Sequence, residues 1–144
     1  MTGRYEVGAI VRSARPGEIY RLVRRLGDGA TADSAVPVAV SQLSSVHAIA
    51  TGGEHACAID AAGGVWCWGE DESGQLGDDG SADSPVPVQV SGLASGATAI
   101  AAGTAHSCAI GAGGTLRCWG WNVCGQLGDG TSTDSPTPVA VAGF

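Results

Sequence analysis

Residues 52–78 read GGEHACAIDAAGGVWCWGEDESGQLGD, and residues 103–129 read GTAHSCAIGAGGTLRCWGWNVCGQLGD. Laid over one another at a spacing of 51, they share Gly52 with Gly103, His55 with His106, Cys57 with Cys108, Cys67-Trp68-Gly69 with Cys118-Trp119-Gly120, and Gly74-Gln75-Leu76-Gly77-Asp78 with Gly125-Gln126-Leu127-Gly128-Asp129. The match runs on, since Asp83-Ser84-Pro85 and Pro87-Val88 return as Asp134-Ser135-Pro136 and Pro138-Val139. Upstream, Leu26-Gly27-Asp28, Asp33-Ser34, Pro37-Val38 and Leu43 make a partial third copy. A period of this length marks a supersecondary unit that cannot cover its own apolar face and must stack on its neighbours.

Within each unit the apolar runs are short and rich in Val, Ile, Trp and Cys, types that suit a pleated surface. The runs predict strands over 36–40, 48–51, 55–60 and 65–69, then 86–90, 99–102, 106–110 and 115–120, with 139–141 opening a further unit. Ala61-Ala62-Gly63-Gly64 and Gly111-Ala112-Gly113-Gly114 stand at the middle of each candidate hairpin, where glycine permits a positive φ. Several strands per period, with no 3.6-residue periodicity, point to β-propeller blades and exclude ankyrin and tetratricopeptide repeats. The expected fold is all-β: an open arc of four-stranded antiparallel blades, a partial β-propeller.

Outside the repeats the chain changes character. Residues 1–25 form an atypical leader, and residues 26–144 the repeat region, divided as 26–50 (partial), 51–101 and 102–144. The leader predicts a strand over 5–11 and, after Pro16, a short amphipathic helix. Six of the seven Arg residues lie at or before Arg25, and the chain has no Lys. From residue 26 onward Arg117 faces twelve carboxylates, a surface that repels phosphate and argues against nucleic-acid binding. No run of 18 apolar residues is present, so no membrane span is expected, and residues 1–15 are too polar for a secretory signal.

The repeat resembles that of the regulator of chromosome condensation family. The resemblance rests on Gly103, His106, Ala109-Ile110, Gly114, Trp119-Gly120, Asn122 and Gly125-Gln126-Leu127-Gly128, matched in the earlier copy except that Asp71 stands where the family favours Asn. It covers residue 26 onward. The resemblance implies a propeller of four-stranded blades, seven in the founding member, and with it several activities: guanine-nucleotide exchange on a small GTPase, accessory roles in ubiquitin ligases, and plain protein binding. No exchange-site residue can be placed on this chain from the repeat motif.

Cys57 and Cys67, like Cys108 and Cys118, flank a short loop at a spacing of ten, which suits disulfides across neighbouring strands. Four buried thiols are the alternative, and a zinc site on His55, Cys57 and Cys67 is a third reading that lacks a fourth ligand. Paired cysteines would place the parent protein in an extracellular or cell-envelope setting. Cys124 has no mate. It sits in Trp121-Asn122-Val123-Cys124, a loop far more apolar than its counterpart Glu70-Asp71-Glu72-Ser73, and these four residues are the candidate contact site. The acidic loops 78–83 and 129–134 lack the ligand alternation of a calcium loop and read as turns. No catalytic set, metal site or cofactor is expected.

The expected role is a non-catalytic protein-interaction scaffold, a piece of a larger propeller. A GTPase regulator and a secreted or envelope-surface inhibitor or adhesion module are the other readings. The partner is another protein, with self-association through open blade edges as a further possibility.

Overall fold

The computed structural model describes residues 39–144 throughout, and before them the strands Arg4–Glu6 and Ala9–Ser13 together with Gly27 and Gly29. Strands β3 (Ala48–Thr51), β4 (His55–Ile59), β5 (Val65–Gly69) and β6 (Ser84–Gln89) form one antiparallel sheet in chain order. Strands β7 (Ala99–Ala102), β8 (His106–Ile110), β9 (Leu116–Gly120) and β10 (Ser135–Ala140) form a second with the same order. The described part is thus all-β: two four-stranded blades, offset by one period. The expected helix after Pro16 and most of the 36–40 strand lie outside the described residues; Val40 is described, buried and outside any strand.

Two expectations need correction. The run at 139–141 does not open a new unit, because β10 pairs with β9 (Val139 opposite Cys118) and completes the second sheet. A period fixes spacing, whereas membership of a sheet is fixed by hydrogen-bond register. The single strand expected over 5–11 is instead two short strands, β1 (Arg4–Glu6) and β2 (Ala9–Ser13), paired antiparallel; Gly8, a turn-former, interrupts the run in sequence.

Proline explains which strands lie outermost. Pro85 and Pro87 fall in β6, Pro136 and Pro138 in β10, and both strands are sheet edges. A residue with no N–H cannot complete an inner ladder, so Pro-x-Pro-Val belongs at an edge and also blunts that edge against further pairing.

The sheets stack face to face. Cys57, Ile59, Val65, Cys67, Leu76, Val90 and Leu93 of the first unit bury themselves against Ala109 and Trp119 of the second. The opposite face of the first sheet carries Ala56, Ala58 and Trp68, which pack with Val40. Consequently β4 is buried along its whole length, while β8 alternates, Ser107 and Ala109 being buried and His106, Cys108 and Ile110 half-buried.

The Gly-x-x-His spacing has a steric cause: a Cβ on Gly52 or Gly103 would collide with the ring of His55 or His106, respectively. At the seam, Trp119 Nε1 donates to the Gln75 carbonyl at 2.9 Å, and the Ser107 hydroxyl donates to the same oxygen at 3.2 Å. With its proton so used, Ser107 Oγ accepts from His55 Nε2–H at 2.8 Å, which sets the His55 tautomer. Trp119 lies over Gly77 as Trp68 lies over Gly27, so one seam repeats the other.

Candidate functional site

The loop joining β9 to β10 is built around Asn122. The Trp121 amide donates to the Ala105 carbonyl at 2.9 Å, tying the start of the loop to the turn before β8. The Asn122 amide donates to Asp134 Oδ1 at 2.7 Å, and Asn122 Oδ1 accepts from the Leu127 amide at 2.9 Å. Its Nδ2 reaches Asp129 Oδ1, the Thr131 carbonyl, Thr131 Oγ1 and the Thr133 carbonyl at 3.0–3.2 Å. Asn122 is fully buried. Of the four residues read from sequence as a contact site, it therefore faces inward and holds the loop together.

The other three face out. Trp121 is 36% and Val123 61% exposed, and Cys124 is an exposed free thiol whose amide is fixed by Gln126 Oε1 at 2.8 Å. The edge of an aromatic side chain and most of an aliphatic one thus meet solvent on a backbone tied down from within. Asp129 turns the far end of the loop: the Thr131 amide and hydroxyl hold its carboxyl below the usual carboxylate range.

Beside this loop lies its acidic counterpart. The segment joining β5 to β6 meets the start of β10, where the Asp79 amide donates to the Pro136 carbonyl at 3.1 Å. A cleft of about 330 Å³ runs along the contact, lined by Glu72, Ser73, Asp79, Ser81, Asp134 and Pro136 among others. Three carboxylates and no Arg or Lys line it. The alignment of repeats gave no sign of this cleft, because it joins different positions of successive copies.

Both cysteine pairs stand at disulfide distance. Cys57 opposes Cys67 and Cys108 opposes Cys118 in register, with S–S separations of 2.08 and 2.12 Å. The bonds use both sulfurs of the zinc reading, and His55 turns to Ser107; among the described residues no group of three or more His, Cys, Asp or Glu is arranged to hold a metal. Burial, and secondarily the nearby His106, lowers the pKa of His55 to about 4, so its ring is neutral. Its Nδ1 has no partner among the described residues. Copied by symmetry and enclosed, this histidine is a structural part of the seam.

The repeat matches known families. The regulator of chromosome condensation (RCC1) repeat matches residues 62–110, and a second form of the same repeat matches residues 46–75 and 97–126. Together they run without a gap over more than half of the chain, and the chain belongs to the RCC1 repeat family. It is 34% identical over 122 residues to the E3 ubiquitin-protein ligase HERC2 of Homo sapiens, covering 81% of this chain and 2% of that protein. It is 35% identical over 120 residues to the ultraviolet-B receptor UVR8 of Arabidopsis thaliana, covering 81% of this chain and 27% of the receptor. In structure it is similar to Prp20p of Saccharomyces cerevisiae, a protein described with its binding to Gsp1p and histones: TM-score 0.67, 17% identity, 84% of this chain and 33% of that one. The chain spans about a third or less of each of these proteins.

Proposed function

We propose that this chain is a non-catalytic protein-binding module whose contact surface is Trp121, Val123 and Cys124, with the neighbouring acidic cleft choosing a basic partner. The observation that carries the reading is the pairing of exposure with rigidity. Val123 and part of Trp121 stand in solvent on a loop held by the buried Asn122, so little ordering is needed on binding. Glu72, Asp79 and Asp134 beside them supply a field that attracts Arg or Lys and speeds encounter. Prp20p is described with its binding to Gsp1p and histones; those partners belong to that protein, and no loop residue here favours the exchange reading over plain binding. Prolines on β6 and β10 weigh against self-association through sheet edges.

A photo-cross-linker at position 123, with one at position 72 as its pair, tests the reading. Captured partners should be basic, compete with the unlabelled chain, and bind at least about 30-fold more weakly to Trp121→Ala, the size of a hot-spot loss. Binding unchanged by Trp121→Ala and by Val123→Ser would remove the loop from the interface.

A second reading, a secreted or envelope-surface inhibitor or adhesion module, draws on the two cysteine pairs at bonding distance. Intact mass under non-reducing conditions, on protein made in its own host, tests it: four free thiols in those positions would count against it.

A further inference from the structure

The two loops that follow Trp-Gly share one hydrogen-bond frame, with Asp71 in the first at the place of Asn122 in the second. The Asp71 amide donates to Asp83 Oδ1 at 2.8 Å as Asn122 donates to Asp134, and the Leu76 amide donates to Asp71 Oδ1 at 2.8 Å as Leu127 donates to Asn122. Asp78 caps the Gly80 amide at 2.9 Å, as Asp129 caps Thr131 at 2.9 Å. Asp79 and Gly130 share the same left-handed turn, with φ of 76° and 85°. Where Asn122 presents an NH₂ group to a carboxylate and two carbonyls, Asp71 presents an oxygen. The repeat positions of those acceptors are Asp78, Gly80 and Ala82, and Asp78 and Asp83 both act on Asp71 by charge. Asp71 is fully buried and its Oδ2 has no partner among the described residues. An ionised oxygen buried without a donor and close to two carboxylates is both desolvated and repelled.

We propose that Asp71 stands in the folded protein as a neutral acid whose Oδ2–H takes over the donor role of the Asn122 amide, so that a proton latches the first blade's loop where an amide latches the second's. Only the protonated carboxyl can both accept from Leu76 through Oδ1 and donate through Oδ2. The surrounding charges all favour it. Burial first, then Asp78 and Asp83, push the Asp71 pKa up to about 7, against the lowering pull of the Leu76 amide. The cleft that this loop borders is lined by Glu72, Asp79 and Asp134 and by no Arg or Lys, so it offers the loop no compensating cation.

A carboxyl whose folded pKa lies above its ordinary 3.8 adds stability that is complete below that value and is lost as pH rises through about 7. Above neutrality the loop from 70 to 83, which forms one wall of the acidic cleft, loses its latch.

Urea unfolding of wild type and Asp71→Asn from pH 5 to pH 9 tests this. Differences between the two cancel the other titrating groups. Relative to Asp71→Asn, the wild-type folding constant should fall by about ten- to a hundredfold between pH 5 and pH 9. Asn122→Asp should import the same pH dependence into the second sheet, which keeps the test alive if Asp71→Asn folds poorly. The Asp71 carboxyl ¹³C resonance should titrate near neutrality. A gap that does not change with pH, or an Asp71 resonance already ionised at pH 5, overturns the proposal. So does stabilisation of wild type, but not of Asp71→Asn, by millimolar Ca²⁺ at pH 8, which would put a metal ion where the proton is placed.

Discussion

Replacing Gly77 by Ala should damage this protein far more than the same change at Gly130, although both glycines have left-handed backbones. At Gly77 (φ 72°) the new Cβ would lie 2.7 Å from Cδ1 and Nε1 of Trp119 and 3.0 Å from Val90 Cγ1. Carbon atoms rest at about 3.5–4.0 Å, so the indole must retreat by about an ångström. That movement pulls Trp119 Nε1 off the Gln75 carbonyl, now 2.9 Å away. An Ala at positive φ costs about 1 kcal/mol. Crowding in a closed core adds about 1–3 kcal/mol, and the weakened hydrogen bond about 1 kcal/mol. The sum is about 3–5 kcal/mol. At Gly130 (φ 85°) the Cβ would meet nothing within 4 Å, leaving the backbone contribution of about 1 kcal/mol alone. Gly128→Ala, at the repeat position of Gly77 but with only Val141 Cγ1 near, at 3.0 Å, should fall between them. Urea titrations followed by tryptophan fluorescence and far-UV circular dichroism give the three differences. Equal losses at Gly77 and Gly130 would mean that Trp119 is not wedged into the seam, and the account of blade packing would fail.

Three further outcomes follow from the same geometry. Replacing Cys57 and Cys67 together by Ser should cost about 2.5 kcal/mol, the loop-closure contribution of a bridge spanning ten residues, read as a shift of the urea midpoint under non-reducing conditions. Lowering the pH should destabilise the seam through His55: its folded pKa is depressed from 6.5 to about 4, so the stability it lends is complete above 6.5 and is lost as pH falls towards 4. Relative to His55→Asn, a comparison that cancels the opposite gain from Asp71, wild type should lose roughly 1–3 kcal/mol between pH 7 and pH 4.5, measured by urea unfolding. Val123→Ser should leave stability within about 0.5 kcal/mol of wild type, since that side chain stands largely in solvent; a larger fall in the urea midpoint would make it part of the packing.

Much of the fold was legible because repetition carries it. Strands β3, β5, β7 and β8 have the bounds that their apolar runs predict, and the cysteine spacing foretold pairs that now face each other in register. The edge strands were harder. Ser84-Pro85 and Ser135-Pro136 open β6 and β10 although both carry residues poor at strand pairing, since only one side of an edge strand needs its amides. The candidate site was legible in part. Trp121 and Val123 stood out because their counterparts are acidic, but Asn122 was grouped with them and proves to be buried. A polar side chain in a loop looks solvent-facing in sequence; only its four acceptors, brought round from 129–133, show it to be the centre of a turn. The informative signal was the exchange of Asn for Asp at position 71, whose meaning depends on which atoms surround it.

The position of the two sulfur bridges carries a consequence for how the chain assembles. Nearly identical hairpins in one molecule invite strand exchange, in which β9 takes the place of β5 beside β4 and leaves a tangled product. Each bridge joins the two arms of a single hairpin, ten residues apart, so once it has formed a strand is tethered to its own neighbour and cannot trade places with its copy. Covalent chemistry thereby gives each unit an identity that its sequence, so like that of the next, cannot supply.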